Sequence, residues 1–100
     1  MLLSLVVTSY TVDRTKEIIN LLESVKAQTY TNIEVIVVIE GSKDLFERLK
    51  DYREISLSHD PKLIFLNSKR GASYARNVGA EEATGEIVAF VDDDVVLSPD

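Results

Sequence analysis

The sequence predicts an α/β domain, a three-layer α/β/α sandwich built on an open and mostly parallel sheet of strand order 3-2-1-4. Four β-type runs alternate with three helical patterns along the 100 residues, an alternation typical of parallel sheets covered on both faces. The first two β-type runs are nearly continuous in apolar residues, as strands buried on both faces are. Right-handed crossovers then make the first and fourth strands neighbours. We expect residues 1–100 to be a single domain.

Runs of aliphatic and β-branched residues predict the strands. We expect the first strand at Leu3 to Thr8, the second at Ile33 to Ile39, the third at Leu63 to Leu66 and the fourth at Glu86 to Val91.

Amphipathic patterns predict the first two helices. In the first, Ile18, Leu22 and Val25 recur at i, i+4 and i+7 and so share one face. Asp13 is expected to cap the amino end of this helix and Ser42 that of the second, because their side-chain oxygens accept from unpaired backbone amides.

The third helix, about Ala72 to Ala83, carries a stripe of small residues that would let it pack closely on the sheet. The stripe consists of Ala72, Ala75, Gly79 and Ala83. Close packing would hold the amino end of the helix near the strand ends, where Gly71 and exposed amides could meet an anion. Gly85 is expected to end the helix.

Composition narrows the classes of function. The 11 basic and 17 acidic residues give a formal net charge of −6, which argues against nucleic acid as a partner because such affinity comes mainly from Lys and Arg. The absence of cysteine excludes disulfides and cysteine-based zinc sites. The longest apolar runs are far shorter than the ~20 residues that span a bilayer, and no secretory pattern opens the sequence. We therefore expect a cytoplasmic domain without a membrane span.

The feature that most needs an explanation is the acidic triplet Asp92-Asp93-Asp94, which directly follows the fourth strand. Adjacent carboxylates repel one another and are costly at the mouth of a core strand unless a cation or hydrogen-bond donors compensate them. Hard oxygen ligands favour Mg²⁺ or Mn²⁺. A solvated acidic turn is the alternative interpretation.

The topology predicts which polar residues share a site. In an open α/β sheet, ligands bind beyond the carboxyl ends of the strands, where the strand order reverses. The residues that leave the first and fourth strands, Thr8-Ser9-Tyr10 and Asp92-Asp93-Asp94, should flank one crevice. Glu40-Gly41-Ser42, from the second strand, should lie beside them.

Five segments resemble, in order and spacing, the nucleotide-binding half of family 2 glycosyltransferases, which have the Rossmann-like GT-A fold. They are Val6 to Tyr10, Gln28 to Tyr30, Val37 to Ser42, Gly71 to Gly79 and Ala83 to Asp94. The resemblance implies transfer of a sugar from a nucleoside diphosphate sugar, with UDP the expected carrier, to a hydroxyl of a glycan, lipid or protein acceptor. It also implies Mn²⁺ or Mg²⁺ as the cofactor, bridging the carboxylates and the diphosphate.

By motif position, the resemblance implies roles for the residues of the crevice. Asp94, together with Asp92, would hold the metal, and Asp92 or Asp93 would reach the ribose and the water shell of the metal. Thr8 and Tyr10 would line the nucleoside pocket.

Two more residues receive roles from the resemblance. Glu40 would accept a hydrogen bond from the base, although the chain has Ile39-Glu40 where the family usually has two aspartates. Glutamate keeps the acceptor but reaches one methylene further, so the identity of the base stays open. Arg76 would contact a phosphate or the nucleoside near the start of the third helix, and a surface arginine without such a contact is the alternative.

The end of the sequence indicates a truncated part of a longer protein. Ser98-Pro99-Asp100 is typical of a helix start. In the family, the catalytic base of an inverting enzyme comes from a later segment, so we expect the base beyond Asp100. This part alone would bind nucleotide and metal while transferring little or no sugar, and its open sheet edge would invite self-association.

Two alternatives stay open. Phe90 to Val96 also matches the strand and D-x-D-x-[TV] motif of haloacid dehalogenase-like phosphotransferases, which would use Asp92 and Asp94. That family, however, places the motif after its first strand. The other alternative is a non-catalytic α/β module.

Overall fold

The computed structural model describes residues 2–27, 32–56, 61–67 and 70–93. In these ranges the chain forms four strands, three α-helices and one short 3₁₀ helix at Val12–Arg14. The strands are β1 (Leu3–Ser9), β2 (Ile33–Glu40), β3 (Lys62–Leu66) and β4 (Ile87–Val91), and the helices are α1 (Thr15–Lys26), α2 (Lys43–Ser56) and α3 (Ala72–Glu82). Each strand end lies within one residue of its predicted position.

The strands form one parallel sheet of order β3-β2-β1-β4, which confirms the predicted topology. β1 pairs with both β2 and β4. In this register Ser9 is opposite Ile39 and Val7 is opposite Val91. The residues that leave β1, β2 and β4 therefore meet at one edge of the sheet.

The core consists of two apolar clusters on opposite faces of the sheet, because the side chains of a strand point in turn to each side. One cluster joins the sheet to α1 and α2 and contains Val7, Ile18, Leu21, Leu22, Val37, Ile39, Leu45 and Leu49. The other joins the sheet to α3 and contains Val6, Ile36, Val38 and Ala75. These two clusters confirm the three-layer α/β/α sandwich.

The small-residue stripe packs α3 onto β1 and β2, as predicted. Ala75 is fully buried and Gly79 is buried as well. A Cβ atom on Gly79 would lie 2.4 Å from Cγ1 of Val6 and 3.2 Å from Cγ2 of Val38. Glycine is therefore required at this position by the close approach of the helix to the sheet.

The helix caps agree with expectation for α2 and differ for α1. Ser42 Oγ accepts a hydrogen bond from the Leu45 amide at 3.2 Å, which confirms the predicted cap of α2. The prediction that Asp13 caps α1 is wrong. Thr11 caps the 3₁₀ helix by accepting from the Asp13 amide at 3.2 Å, and α1 begins only at Thr15.

Gly85 does not end α3, contrary to expectation. The helix ends at Glu82, and the backbone of the next residue, Ala83, is already extended. A Cβ atom on Gly85 would lie 2.5 Å from Ser4 Oγ and 2.7 Å from the carbonyl oxygen of Leu2. Gly85 is needed because the chain passes very close to the start of β1 on its way into β4.

A hydrogen-bonded cluster around Glu34 lies at the other end of the sheet, where the strands begin. The Glu34 carboxylate accepts from Ser4 Oγ at 2.5 Å, from the Thr84 amide at 2.9 Å and from Thr84 Oγ1 at 3.1 Å. Burial raises the pKa of Glu34, but these hydrogen bonds and the charge of Lys62 outweigh burial and hold the pKa below the ordinary range of a glutamate. The cluster ties the α3–β4 connection to the two central strands.

β4 forms one edge of the sheet, and among the described strands it pairs with β1 alone. Its side chains Ile87, Val88 and Phe90 are exposed and apolar. Self-association through this edge stays a prediction.

Within the described ranges, no helix combines the length and the apolarity needed to cross a membrane.

Candidate functional site

The candidate site lies at the carboxyl edge of the sheet, beyond the ends of β1, β2 and β4. Because the strands are parallel and in register, Thr8 lies one residue past the Val7–Val91 pair and therefore at the level of Asp92. Glu40 follows Ile39, the partner of Ser9. The topology therefore brings the ends of three strands, with their polar residues, to one edge, as the sequence predicted.

Asp93 is held by two other residues of the chain. Ser9 Oγ donates a hydrogen bond to Oδ2 of Asp93 at 2.7 Å. The Nε atom of Arg14 lies 3.7 Å from Oδ1 of the same carboxylate. Both oxygens of Asp93 thus have partners, and only 18% of its side chain is exposed. Part of the repulsion expected within the acidic triplet is offset by a neighbouring cation and a hydroxyl donor.

The other predicted ligand-binding residues are more accessible. Asp92 is exposed, Thr8 is half-buried, and 56% of Tyr10 is exposed just beyond the end of β1. Arg76 lies on α3 and is exposed. Asp94, the predicted metal ligand, lies outside the described residues.

Glu40 is almost completely buried, with 4% of its surface exposed. Its Oε2 atom accepts from the backbone amides of Arg70 at 2.8 Å and of Gly71 at 3.0 Å. Gly71 precedes α3 and has a φ of 106°, a conformation that favours glycine. The amino end of α3, which we expected to meet an anion, is thus in contact with the chain's own carboxylate.

The sequence does not reveal which groups contact the two carboxylates. It places Ser9 in the crevice but indicates no role for Ser9 or for Arg14. The alternation of side chains along β1 could have indicated where Ser9 lies. Ser9 is on the same face as Val7, which packs against the layer that contains α1. The sequence predicted that Gly71 and exposed amides at the amino end of α3 could meet an anion, but no pattern indicated that this anion is the Glu40 carboxylate.

The described residues at the carboxyl ends of the strands supply only part of what a Mg²⁺ or Mn²⁺ site needs. No cluster of three or more potential metal-binding side chains occurs among residues 2–27, 32–56, 61–67 and 70–93. Of the two described aspartates, Asp93 is engaged with Ser9 and Arg14, whereas Asp92 is exposed. Carboxylate oxygen is the donor that Mg²⁺ and Mn²⁺ prefer, and such ions are often held by one or two carboxylates and the substrate's phosphates. The donor chemistry fits a cation shared with a diphosphate.

The parallel sheet of order 3-2-1-4, with acids at the crevice between its first and fourth strands, has the architecture of GT-A glycosyltransferases. The profile of "Glycosyl transferase family 2" matches residues 4–100. The chain belongs to this family.

Three similar proteins illustrate the match. The glucosyl-dolichyl phosphate glucuronosyltransferase of Haloferax volcanii is 38% identical over 100 residues, which is 100% of this chain and 31% of that protein. TarS 1-349 of S. aureus, solved in complex with UDP-GlcNAc, superposes with a TM-score of 0.77 at 33% identity, covering 94% of this chain and 27% of that TarS chain. The mannosyltransferase PcManGT of Pyrobaculum calidifontis, solved with GDP-Man and Mn²⁺, gives a TM-score of 0.83 at 27% identity over 94% of this chain and 28% of that protein. The chain therefore spans about a third or less of the length of these relatives. The comparisons do not favour the alternative of a haloacid dehalogenase-like phosphotransferase.

Proposed function

We propose that these residues form the nucleotide-sugar-binding part of a glycosyltransferase that transfers a sugar from a nucleoside diphosphate sugar to an acceptor hydroxyl. The observation that carries the proposal is the meeting of three strand ends at one edge, with Asp92 exposed beside the end of β1 and Glu40 at the end of β2. The UDP-GlcNAc complex of TarS and the GDP-Man complex of PcManGT support a nucleotide sugar as the ligand.

The nucleoside would lie against β1. Tyr10 offers an exposed aromatic ring just past the end of this strand, and aromatic rings bury large apolar area against flat partners. Thr8 is half-buried and brings a hydroxyl to the level of Asp92. In the proposal, these two side chains orient the nucleoside so that its diphosphate reaches the acidic turn after β4.

Glu40 and Arg76 complete the proposed nucleotide site. Oε2 of Glu40 already accepts two backbone amides, so a hydrogen bond from the base would use Oε1 or a remaining lone pair. UDP is the expected nucleotide, and GDP is the competing one because PcManGT was solved with GDP-Man. Arg76, exposed on α3, would contact a phosphate or the nucleoside.

Asp92 and Asp94 would hold Mn²⁺ or Mg²⁺. When bound, the cation would neutralise the charge that develops on the departing diphosphate. Sugar transfer by these 100 residues alone is not expected, because they span only 31% of the length of the Haloferax relative. We expect the catalytic base to lie in the part outside them. The acceptor is left open as a glycan, a lipid or a protein.

Calorimetric titration of UDP, with and without Mn²⁺, tests this function. We expect binding that Mn²⁺ strengthens and that Asp92→Ala or Asp94→Ala weakens, whereas Asp51→Ala, an exposed aspartate on α2, serves as the matched control. A parallel titration with GDP tests the identity of the base. If the wild-type chain binds neither nucleotide in either condition, the proposed function is wrong for this chain.

A further inference from the structure

We propose that Asp93 is a positioning residue, which fixes the acidic turn after β4 through Ser9 and Arg14 and does not itself contact the nucleotide or the cation. The inference rests on the proposed function, because it concerns how the chain prepares the turn for a diphosphate and its cation. It also separates the roles of Asp92 and Asp93, which the sequence left interchangeable.

The contact with Ser9 anchors the turn to the centre of the sheet. Ser9 is the last residue of β1, is 3% exposed, and lies opposite Ile39 in the register with β2. The backbone of Ser9 is fixed by its place in this central strand, and its side chain is almost completely buried. The hydrogen bond to Asp93 spans 84 positions of sequence and measures 2.7 Å, the usual length for a hydroxyl that donates to a charged oxygen.

The contact with Arg14 adds a charge to the anchor. Arg14 is the last residue of the 3₁₀ helix. The backbone amide of Arg14 donates a hydrogen bond to the Thr11 carbonyl at 3.2 Å, and this bond stabilises the helix. Thr15 Oγ1 donates to the Val12 carbonyl at 2.6 Å in the same turn. A cation on a fixed backbone therefore stands beside the Asp93 carboxylate at the acidic edge. It lowers the repulsion that Asp93 would otherwise impose on Asp92.

The geometry explains why Asp93 differs from its neighbours. Both of its oxygens are directed to groups of the chain, whereas Asp92 is exposed. Asp93 lies between Asp92 and Asp94, the two residues proposed to hold the cation. Holding Asp93 restricts the backbone at Asp92, so less ordering is needed there when the cation binds.

The test compares two buried serines at opposite ends of β1. Ser9→Ala removes the donor to Asp93, and Ser4→Ala removes an equally buried hydroxyl at the edge away from the site. We expect Ser9→Ala to reduce the Mn²⁺-dependent gain in UDP affinity roughly tenfold, the lower end of the range for groups that orient metal ligands. UDP affinity without Mn²⁺ should not change. Ser9→Thr, which keeps the hydroxyl, should restore the gain, and Ser4→Ala should leave it intact.

Arg14→Gln gives a second variant in case Ser9→Ala impairs folding. The Arg14 side chain is 43% exposed, so its replacement does not open the core. Arg14→Gln should reduce the Mn²⁺-dependent gain in UDP affinity, as Ser9→Ala does. A direct role of Asp93 in nucleotide binding would instead show as loss of metal-free UDP affinity in Asp93→Asn, and that result would overturn the inference.

Amide hydrogen exchange gives a readout that does not depend on any ligand. In the wild-type chain the amides of Asp92 and Asp93 should exchange slowly, and Ser9→Ala should accelerate their exchange, whereas Ser4→Ala should not. If Ser9→Ala leaves both the exchange and the Mn²⁺-dependent gain unchanged, the inference is refuted and the proposed function stands. If the wild-type chain binds no nucleotide, the proposed function fails, and exchange alone then decides whether Ser9 holds Asp93.

Discussion

Replacing Gly79 with alanine should destabilise the domain by about 2 kcal/mol, although alanine is the better helix former. The new Cβ atom would lie 2.4 Å from Cγ1 of Val6, which is about 1 Å inside the ~3.5–4.0 Å separation of carbon atoms in contact. Val6 belongs to the central strand, is 1% exposed, and has a β-branched side chain that does not rotate freely. Val38 limits the space on the other side at 3.2 Å. Relief therefore requires α3 to move away from the sheet.

The magnitude follows from two opposing effects. Overpacking of a filled core costs about 1–3 kcal/mol, and a clash of this depth against a central strand falls at the upper end. The helix propensity of alanine returns about 1 kcal/mol. Urea unfolding should show the net loss, and the melting temperature should fall by about 8–16 °C for a domain of this size. Asn77→Ala, at an exposed position of the same helix, is the control and should be neutral or slightly stabilising. A Gly79→Ala variant more stable than the wild type by about 1 kcal/mol would refute the close packing of α3.

Two further predictions concern the hydrogen-bonded carboxylates Glu34 and Glu40, which lie at opposite ends of β2. Because the pKa of Glu34 is lowered in the folded state, its stabilising contribution is present above the ordinary glutamate pKa of about 4.3 and is lost as the pH falls through the lowered value. The free energies of unfolding of the wild type and Glu34→Gln, measured with urea, should therefore differ at about pH 7 and become equal in acid. A difference that does not change with pH would contradict this role of the Glu34 hydrogen bonds. Glu40→Gln should cost about 1 kcal/mol, because hydrogen bonds to a charged acceptor are stronger than those to a neutral one. It should also shift the amide proton resonances of Arg70 and Gly71, and unchanged resonances would show that Glu40 does not accept from them.

The fold could be predicted almost completely from the sequence because each rule used was local or topological. Apolar runs identified the four strands to within one residue at each end, and right-handed crossovers fixed their order. The local errors have a physical cause. Thr11 and Asp13 are both good capping residues only two positions apart. The 3₁₀ helix, which contains Asp13 and separates Thr11 from α1, has no distinct sequence pattern. Gly85 resembled a helix stop, but its constraint comes from Ser4, which is 81 positions away.

The candidate site was only partly predictable, for a related reason. The rule for strand ends indicated which residues share the carboxyl edge, since it depends on topology alone. It did not indicate which group each carboxylate contacts. Ser9 reaches Asp93 across the chain, and Glu40 reaches backbone amides whose position is set by the connection before α3. Such partners depend on distances of a few tenths of an ångström, which no spacing in the sequence encodes.

The two described aspartates at this edge have different electrostatic environments, and this difference limits where a cation would bind. The charge of Asp93 is already opposed by Arg14 and by the Ser9 hydroxyl, so a cation that displaced these groups would have to replace both contacts. Asp92 is exposed, so a cation that approached it would displace only water. Glu40 is likewise engaged with two amides at the end of β2. Of these three carboxylates, Asp92 is the one that a cation can approach without disturbing the fold, and this is why a metal-dependent nucleotide site should lie on its side of the crevice.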